Sequence, residues 1–475
     1  SVIRKSFVGN RFFANLCTMT FPLRLPVLLS LAFLAMDSRA AERKPLDVQY
    51  ETAARRIIGL GPSDNVAFER LAEMCDTFGS RFSGSQNLEK AIDWCLAKLV
   101  EDGFENVRGE PVTVPRWVRG NETARVISPR PCELHLLGLG GSVGTPKGGI
   151  RARALVVTSF EELREKAADA KGRIIVFNAP FVDYGSTVVF RVKGAIEAAK
   201  VGAVASLIRS VAPFSMQTPH TGMMDYDSAV PKIPHAAISI EDAEMLQRFQ
   251  ERGDAIEIEL KMEAQTLPDG QSRNVVAELV GTEYPEQIVL LSGHIDSWDV
   301  GTGAMDDGGG CFASWQAVRI LKQLNLRPRR TIRVVFWTNE ENGMAGVKTY
   351  REKHAADLNN HLIAMESDSG TFAPEGFSFD GSEKAMALFE EFAALLKPLG
   401  ADRLKWGAEV SDVSQLASKG VPVMGLDVDR TKYFWYHHTD ADTIDKLDID
   451  EFNRCAAAMA IMAYVVADMP ERLPR

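Results

Sequence analysis

The fold class of this chain is indicated by the stretch IVLLSGHID, which occupies residues 288–296. Its first four residues are all apolar, and such an unbroken run is typical of a strand that is buried on both faces of a sheet. Comparable apolar runs occupy residues 275–280, 332–337, 362–365 and 421–428. Because segments with helical spacing separate these runs, the sequence predicts an α/β fold with helices flanking the sheet.

Polar clusters stand where the predicted strands end. His294 and Asp296 close the first run, and the loops at strand ends are where open α/β sheets hold their functional sites. The other clusters are Asp306-Asp307 in a Gly-rich turn, Glu340-Glu341, Asp368, and the pair His437-His438. Each cluster alone has an ordinary structural explanation, such as capping a helix. Together they supply the imidazole and carboxylate ligands that suit zinc, and a carboxylate can bridge two ions about 3.5–4 Å apart.

The adjacent pair Glu340-Glu341 indicates a division of labour between two carboxylates. One of them can bind a metal ion while its neighbour stays unligated and takes a proton from water. The pattern therefore predicts metal-assisted hydrolysis.

In order and spacing, these clusters resemble the motifs of the co-catalytic zinc exopeptidases of the aminopeptidase and carboxypeptidase Q type, with the carboxypeptidase Q branch most similar. The resemblance covers most of the chain, including the loop GSRFSGS at residues 79–85. It implies a zinc-exopeptidase-like, mixed twisted β-sheet flanked by helices, formed by residues 41–129 and 266–475. Residues 130–265, where short apolar runs alternate with helical patterns, resemble the family's inserted protease-associated α/β domain.

The resemblance also implies a site for two Zn²⁺ ions and a role for each residue. His294 and Asp368 correspond to ligands of one ion, Glu341 and His438 to ligands of the other, Asp306 to the bridge, Glu340 to the general base, and Asp296 to the acid that orients His294 through its second ring nitrogen. The implied activity is hydrolysis of the terminal peptide bond of dipeptides or short peptides that have a free amino terminus.

His437 is the position that departs from the family pattern. Several relatives carry a tyrosine there that assists the oxyanion, and His437 could donate to the oxyanion in its place or pack beside the site. His437 could also replace His438 as the ligand, although the spacing of the run from His438 to Thr443 favours His438.

Charge and the N-terminal segment indicate the partners and the compartment. The 475-residue chain carries a net charge of −10, which argues against nucleic acid as a partner. Arg24 precedes a largely apolar run at residues 25–36, and Ser38-Arg39-Ala40 resembles a cleavage site. We therefore expect residues 1–40 to be a signal peptide, with translation starting at Met19, and the protein to be secreted or periplasmic. The run is shorter than the roughly 20 residues of a membrane span, so we expect no stable membrane insertion.

The cysteine pattern leaves the disulfide state open. Outside residues 1–40 the chain has an odd number of cysteines and no CxxC pair; they are Cys75, Cys95, Cys132, Cys311 and Cys455. One or two disulfides in an oxidising compartment and buried free thiols are equal alternatives.

Three other functions fit parts of the pattern. A glutaminyl-cyclase-like acyltransferase shares the fold but uses a single zinc, so a count of metal ions separates it from a peptidase. A catalytically silent binding protein of the transferrin-receptor type is disfavoured by the retained ligands and Glu340. A periplasmic solute-binding protein needs no Glu340-Glu341 pair beside His294 and Asp306. The family resemblance also allows a homodimer.

Overall fold

Residues 44–475 are described by a computed structural model and form two eight-stranded sheets. The strands are β1 (Glu105–Val118), β2 (Glu122–Ser128), β3 (Cys132–Leu134), β4 (Leu136–Gly138), β5 (Ile150–Val157), β6 (Ile174–Phe177), β7 (Ala205–Arg209), β8 (His235–Ile238), β9 (Glu257–Met262), β10 (Gln265–Leu279), β11 (Tyr284–His294), β12 (Arg330–Trp337), β13 (His361–Glu366), β14 (Pro374–Asp380), β15 (Arg403–Trp406) and β16 (Val423–Val428).

The helices divide between the two sheets. Those beside the first sheet are α1 (Leu46–Leu60), α2 (Val66–Phe78), α3 (Gln86–Glu101), α9 (Gly309–Gln323), α10 (Ala345–Lys353), α11 (Glu383–Phe392), α12 (Ser414–Ala417), α13 (Tyr433–Tyr436) and α14 (Ile449–Asp468). Those of the second sheet are α4 (Phe160–Glu165), α5 (Ala167–Ala170), α6 (Tyr184–Thr187), α7 (Val189–Lys200) and α8 (Ile240–Glu251). Short 3-10 helices span Gly61–Ser63, Leu358–Asn360, Ala393–Leu399 and Ile444–Lys446.

The first sheet has the strand order β1-β10-β12-β11-β13-β16-β14-β15. Its four central strands, β12, β11, β13 and β16, run parallel to one another. The flanking pairs β1–β10, β10–β12 and β14–β16 are antiparallel, so the sheet is mixed. The carboxyl ends of the parallel strands therefore meet at one edge of the sheet, which is where such sheets bind ligands.

Strand β11 shows why its sequence is apolar without interruption. Val289 and Leu291 pack into the core that α9 and α14 form on one face. Ile288 and Leu290 pack into a second core on the opposite face, which holds residues of α10 and α12. Because helices cover both faces, every side chain of the run is buried, as expected for a central parallel strand.

The second sheet has the order β3-β2-β9-β5-β6-β7-β8-β4 and is formed by residues 122–262. It begins before the boundary predicted at residue 130, because β2 pairs antiparallel with β9 rather than with the first sheet. That partner lies far along the chain, so no local pattern at β2 marks the change of sheet. Residues 130–138, which were expected to begin the insert, supply the edge strands β3 and β4.

The strands expected in the peptidase part lie in β10, β11, β12, β13 and β16, which confirms the predicted α/β fold class. The GSRFSGS loop separates α2 from α3, and Ser85 caps α3 by accepting a hydrogen bond from the Leu88 amide at 3.2 Å. No helix within residues 44–475 is long and apolar enough to cross a membrane. The expectations for residues 1–40, including the signal peptide and the start at Met19, lie outside the described residues.

All five cysteines of the described part are free thiols. Cys75, Cys95, Cys311 and Cys455 are buried in the core of the first sheet, and Cys132 is partly buried beside the second. Of the two alternatives for the cysteines, the structure therefore has buried free thiols, and these pack as small apolar side chains.

Candidate metal and catalytic site

The sequence-predicted residues converge at the carboxyl edge of the first sheet. His294 ends β11, Glu340 and Glu341 follow β12, and Asp368 follows β13. Asp306 lies in an irregular turn, Ala304–Gly308, directly before α9. The last cluster, His437-His438, follows α13. The parallel strands thus bring together side chains that are far apart in sequence.

Asp306 lies at the centre of the first group of ligand atoms. Its Oδ1 is 3.2 Å from Nε2 of His294, and Oδ1 of Asp368 lies 3.4 Å from the same nitrogen. The three ligand atoms lie within 4.8 Å of one another. These side chains therefore form one candidate cation site.

A second group shares Asp306 and includes both histidines of the C-terminal pair. Oδ2 of Asp306 lies 3.3 Å from Nε2 of His438 and 3.5 Å from Nε2 of His437. Only His438 also contacts Glu341, at 3.0 Å between Nε2 and Oε2. The Nδ1 of His438 donates to the Thr221 carbonyl at 3.2 Å, which leaves Nε2 to face the acids. His438 adopts a φ of 60°, a left-handed conformation that is rare for a non-glycine residue and is found at functional sites.

The two histidines stack on each other, with ring centroids 3.5 Å apart. His437 is enclosed by Tyr184 and Tyr433 as well, with centroid distances of 5.4 Å and 5.1 Å. Burial and the neighbouring His438 hold the pKa of His437 well below its usual value. His437 is therefore a neutral ring within an aromatic cluster, and the contact with Glu341 favours His438 as the ligand.

The chemistry of the shared acid fits a cation. Oδ2 of Asp306 is buried and has no hydrogen-bond partner among residues 44–475, although an unsatisfied buried carboxylate oxygen is costly. Burial acts to raise the pKa of Asp306, but its contacts with His294 and His438 hold that pKa well below the usual value. Asp306 is therefore a carboxylate with an open lone pair between two imidazole groups, and such a donor set suits zinc.

The turn that carries Asp306 is held by two further acids. Asp442 accepts hydrogen bonds from the amides of Met305 at 2.7 Å and Asp306 at 3.1 Å. Asp307 accepts from the amides of His294 and Gly310, both at 3.0 Å. Their carboxylates hold the backbone on either side of the shared acid, so the geometry of Asp306 is set before any ligand binds.

Arg81, from the GSRFSGS loop, also stabilises the backbone next to this turn. Its buried guanidinium donates to the carbonyls of Ile295 and Gly303, both at 2.8 Å, and to that of Thr302. The loop that the sequence singled out therefore acts through this arginine, which the sequence reading did not identify.

Asp296 differs from the sequence expectation. The Nδ1 of His294 donates to the backbone carbonyl of Asp296 at 2.9 Å, whereas the Asp296 carboxylate is 3.9 Å from that nitrogen. The carboxylate instead accepts from the amides of Glu340 at 3.0 Å and Glu341 at 3.3 Å. Asp296 therefore fixes the loop after β12, and His294 is oriented by a main-chain oxygen, which residue types alone could not reveal.

Glu340 and Glu341 occupy different environments. The Glu341 side chain is 3% exposed and faces His438, while the Glu340 side chain is 16% exposed and opens to the cleft. The hydroxyl of Ser411 donates to Oε1 of Glu340. A carboxylate that binds metal and a neighbour that acts as a base would differ in this way.

The identity of the family follows from comparison with known proteins. The sequence profile of Peptidase family M28 matches residues 274–463. Human carboxypeptidase Q is 51% identical over 425 residues, which cover 89% of this chain and 90% of that protein. Carboxypeptidase Q of Rattus norvegicus is 52% identical, with 90% and 91% covered. This chain belongs to peptidase family M28. Membership confirms the sequence-based prediction of a metallo-exopeptidase.

Solved structures of the family support the same fold. A peptidase M28 precursor from Shewanella amazonensis aligns with a TM-score of 0.87 at 35% identity, covering 90% of this chain and 99% of that one. A zinc aminopeptidase from Bacillus subtilis aligns with a TM-score of 0.64 at 19% identity, with 86% and 96% covered, and this likeness concerns the fold alone.

Acids of this M28 site repel one another in the absence of a cation. Burial and neighbouring carboxylates raise the pKa of Glu341 to about 8 and that of Asp368 to about 7. A bound divalent cation removes this repulsion, because opposite charge nearby favours the ionised form. The raised pKa values of Glu341 and Asp368 therefore fit a role as metal ligands.

Sequence reasoning missed a group of acids behind Glu340. Glu366 accepts from the Ser411 amide at 2.6 Å, and burial together with Asp368 raises its pKa to about 8. Asp412 is fully buried, both its oxygens lack a hydrogen-bond partner in the described part of the chain, and burial raises its pKa well above the usual value. Glu366 directly follows the apolar run at residues 362–365 and could have been noticed. Ser411 and Asp412 follow no strand end, so no signal marked them.

A cleft of about 560 Å³ opens onto these residues. Its lining includes Glu340, Asp368 and His438 from the first sheet and its loops, and Tyr184 and Arg191 from the second. The volume is within the roughly 300–1,000 Å³ of small-ligand sites. Residues of the predicted insert therefore form one wall of the cleft.

Proposed function

We propose that this M28 enzyme is an exported exopeptidase that uses two zinc ions to hydrolyse dipeptides and short peptides. The observation that carries the proposal is the pair of ligand groups that share Asp306 at the edge of a small cleft. His294 and Asp368 would hold one ion with Asp306, and Glu341 and His438 would hold the other. The name of the Bacillus subtilis relative, a zinc aminopeptidase, supports the choice of metal. Zinc bound here supplies the Lewis acidity that activates water and polarises the peptide carbonyl.

Glu340 carries the proton in this proposal. Its Oε1 is fixed by the Ser411 hydroxyl, which leaves Oε2 to accept a proton from the attacking water. The same oxygen then returns the proton to the leaving amine. His437, a neutral ring that lines the cleft, would donate a hydrogen bond to the developing oxyanion.

The alternative functions predict different numbers of bound metal ions and different activities. A single-zinc acyltransferase needs one group of ligands, whereas this site has two groups around a shared acid. A silent binding protein needs no base opening to the cleft. Hydrolysis of a dipeptide with two ions per chain separates the proposal from both.

We expect His438→Ala to lose one of the two zinc ions and most activity, because it removes the contact with Glu341 and Asp306. His437→Gln should keep both ions, since the contact with Glu341 is made by His438 and not by His437. Zinc content per chain, measured after dialysis, checks both variants. His135→Ala, which changes a partly exposed histidine between β3 and β4, is the control. Loss of an ion from the His437 variant and not from the His438 variant would reverse the assignment.

We also expect kcat/KM to be higher for substrates that have a free amino terminus. A cleft edged by Asp306, Glu340, Glu341 and Asp368 favours a charged amine through charge-assisted hydrogen bonds. Acetylation removes that charge, and kcat/KM should fall by about 10²-fold or more. The comparison uses one dipeptide in free and N-acetylated forms and an internally quenched peptide blocked at both ends. Efficient cleavage of the blocked peptide would identify an endopeptidase and overturn this part of the proposal.

Export is supported by the sequence of residues 1–40 alone. We expect the mature protein to begin at or near Ala41, because Ser38-Arg39-Ala40 ends the apolar run. N-terminal sequencing of protein secreted by its own host checks this, and an intact leader on cytosolic protein would refute export. We propose further that the second sheet and its helices, residues 122–262, are a protease-associated domain that narrows the cleft. The homodimer stays a prediction.

A further inference from the structure

The cleft wall from the second sheet contains a buried positive charge, the guanidinium of Arg191. Arg191 lies in α7 and is 8% exposed, and it lines the same cleft as Glu340 and His438. The base and ligands of the proposed hydrolysis do not include this residue, so its charge needs a separate explanation.

The protein partners of Arg191 are all neutral. Nε donates to the Met223 carbonyl at 3.2 Å, Nη1 to the Thr221 carbonyl at 3.4 Å, and Nη2 to the Tyr184 hydroxyl at 2.9 Å. Within residues 44–475 no carboxylate lies within 4.0 Å of the guanidinium, and each Nη retains one N–H without a protein acceptor. A buried charge without a counter-charge is costly, and arginine binds carboxylates through two parallel N–H donors.

Other arginines near the cleft differ from Arg191. Arg430 lines the cleft too, but its guanidinium pairs with Glu409. Arg119 pairs with Asp299 at 2.5 Å. Arg81 has neutral partners but lies under the Asp306 turn and is not part of the cleft lining. Arg191 is thus a buried, unpaired guanidinium that faces the space where substrate enters.

Arg191 is also close to the proposed metal ligands. The Thr221 carbonyl accepts from both Nη1 of Arg191 and Nδ1 of His438, so one oxygen atom separates the two donors. Gly222 follows, with a φ of 140°, and a side chain there would collide with the guanidinium. One amino-acid residue spans roughly 3.5 Å. Arg191 and His438 therefore line the same cleft at a separation on the scale of one or two residues.

The geometry points to Arg191 as a specificity residue that binds the free carboxylate of the leaving residue, which restricts substrates to those with one residue beyond the scissile bond. This inference rests on the proposed function, because it needs the scissile bond at the Asp306 site. Arg191 supplies the missing ion pair only when such a carboxylate enters. An uncharged carboxamide leaves the guanidinium unpaired, and a longer peptide places its carboxylate elsewhere.

The test measures kcat/KM for Leu-Ala, its amide Leu-Ala-NH₂, and Leu-Glu-NH₂, whose only carboxylate is in the side chain. The wild-type enzyme should prefer Leu-Ala over Leu-Ala-NH₂ by about 10²-fold, the loss expected when a buried polar group is left unpaired. Arg191→Gln should lower the rate on Leu-Ala to near that on the amide while leaving the amide rate within about threefold. Arg191→Lys should keep part of the preference, because a point charge lacks the planar fork. Arg430→Gln, the matched control on a paired guanidinium, should keep the full preference.

Each outcome decides the assignment. Equal wild-type rates on Leu-Ala and its amide would overturn it, as would an equal fall of both rates in Arg191→Gln. A preference that follows the side chain of Leu-Glu-NH₂ would overturn the assignment to the terminal carboxylate. Inhibition of the wild-type enzyme by alanine but not by alaninamide tests the same contact without a variant, and equal inhibition would contradict it. If the wild-type enzyme hydrolyses none of these peptides, the proposed function fails instead.

Discussion

Asp306→Asn should abolish hydrolysis and release metal, with a fall in kcat/KM of at least about 10³-fold, since it changes the acid that both proposed ions share. The asparagine has nearly the same shape, so the backbone contacts with Asp442 can persist. Its amide replaces a charged oxygen, and one of its two terminal atoms becomes a donor that cannot ligate. Zinc content and dipeptide hydrolysis, measured on the same preparation, check the effect.

The control for this variant is Asp440→Asn, which makes the same change on an exposed acid two residues after His438. It should keep metal content and rate near those of the wild-type enzyme. If the Asp306→Asn protein retained two tightly held ions and near-normal turnover, Asp306 would not be the ligand that both ions share.

Glu340→Gln should leave the metal ions in place and lower kcat by about 10²- to 10⁴-fold, the usual contribution of a positioned general base. Glu340 faces the cleft, and the Ser411 hydroxyl can still donate to the amide oxygen of the glutamine. The variant therefore loses proton transfer and keeps its geometry. Glu341→Gln is the matched comparison, because it makes the same change one residue later.

Glu341→Gln should lose metal, since the Glu341 side chain is only 3% exposed and its Oε2 contacts Nε2 of His438. The pair of variants thus separates a base from a ligand by two readouts, metal content and rate. Equal metal loss in both proteins would show that the two carboxylates do not divide their roles in this way.

The sequence indicated which side chains would lie close together where they follow a strand end. His294 follows an apolar run and Asp368 follows another, so a parallel sheet necessarily brings them to one edge. The structure then places both within 3.4 Å of each other, as expected. The local sequence pattern was sufficient to predict this proximity, because parallel strands end at the same edge of the sheet.

Prediction failed where an arrangement depends on contacts between distant segments. Asp296 was expected to orient His294 with its carboxylate, but only the fold shows that a carbonyl occupies that place. Asp412 and Arg191 lie in segments without a recognisable motif, and their burial next to the site follows from tertiary packing. The change of sheet at β2 likewise depends on β9, its partner far along the chain.

The central claim is that two zinc ions act together around Asp306. The most direct measurement is the rate of Leu-Ala hydrolysis as zinc is added back to metal-free protein, with bound zinc determined in parallel. The account predicts that binding and activity both saturate at two equivalents per chain. Saturation of full activity at one equivalent, or activity that does not depend on added metal, would contradict it.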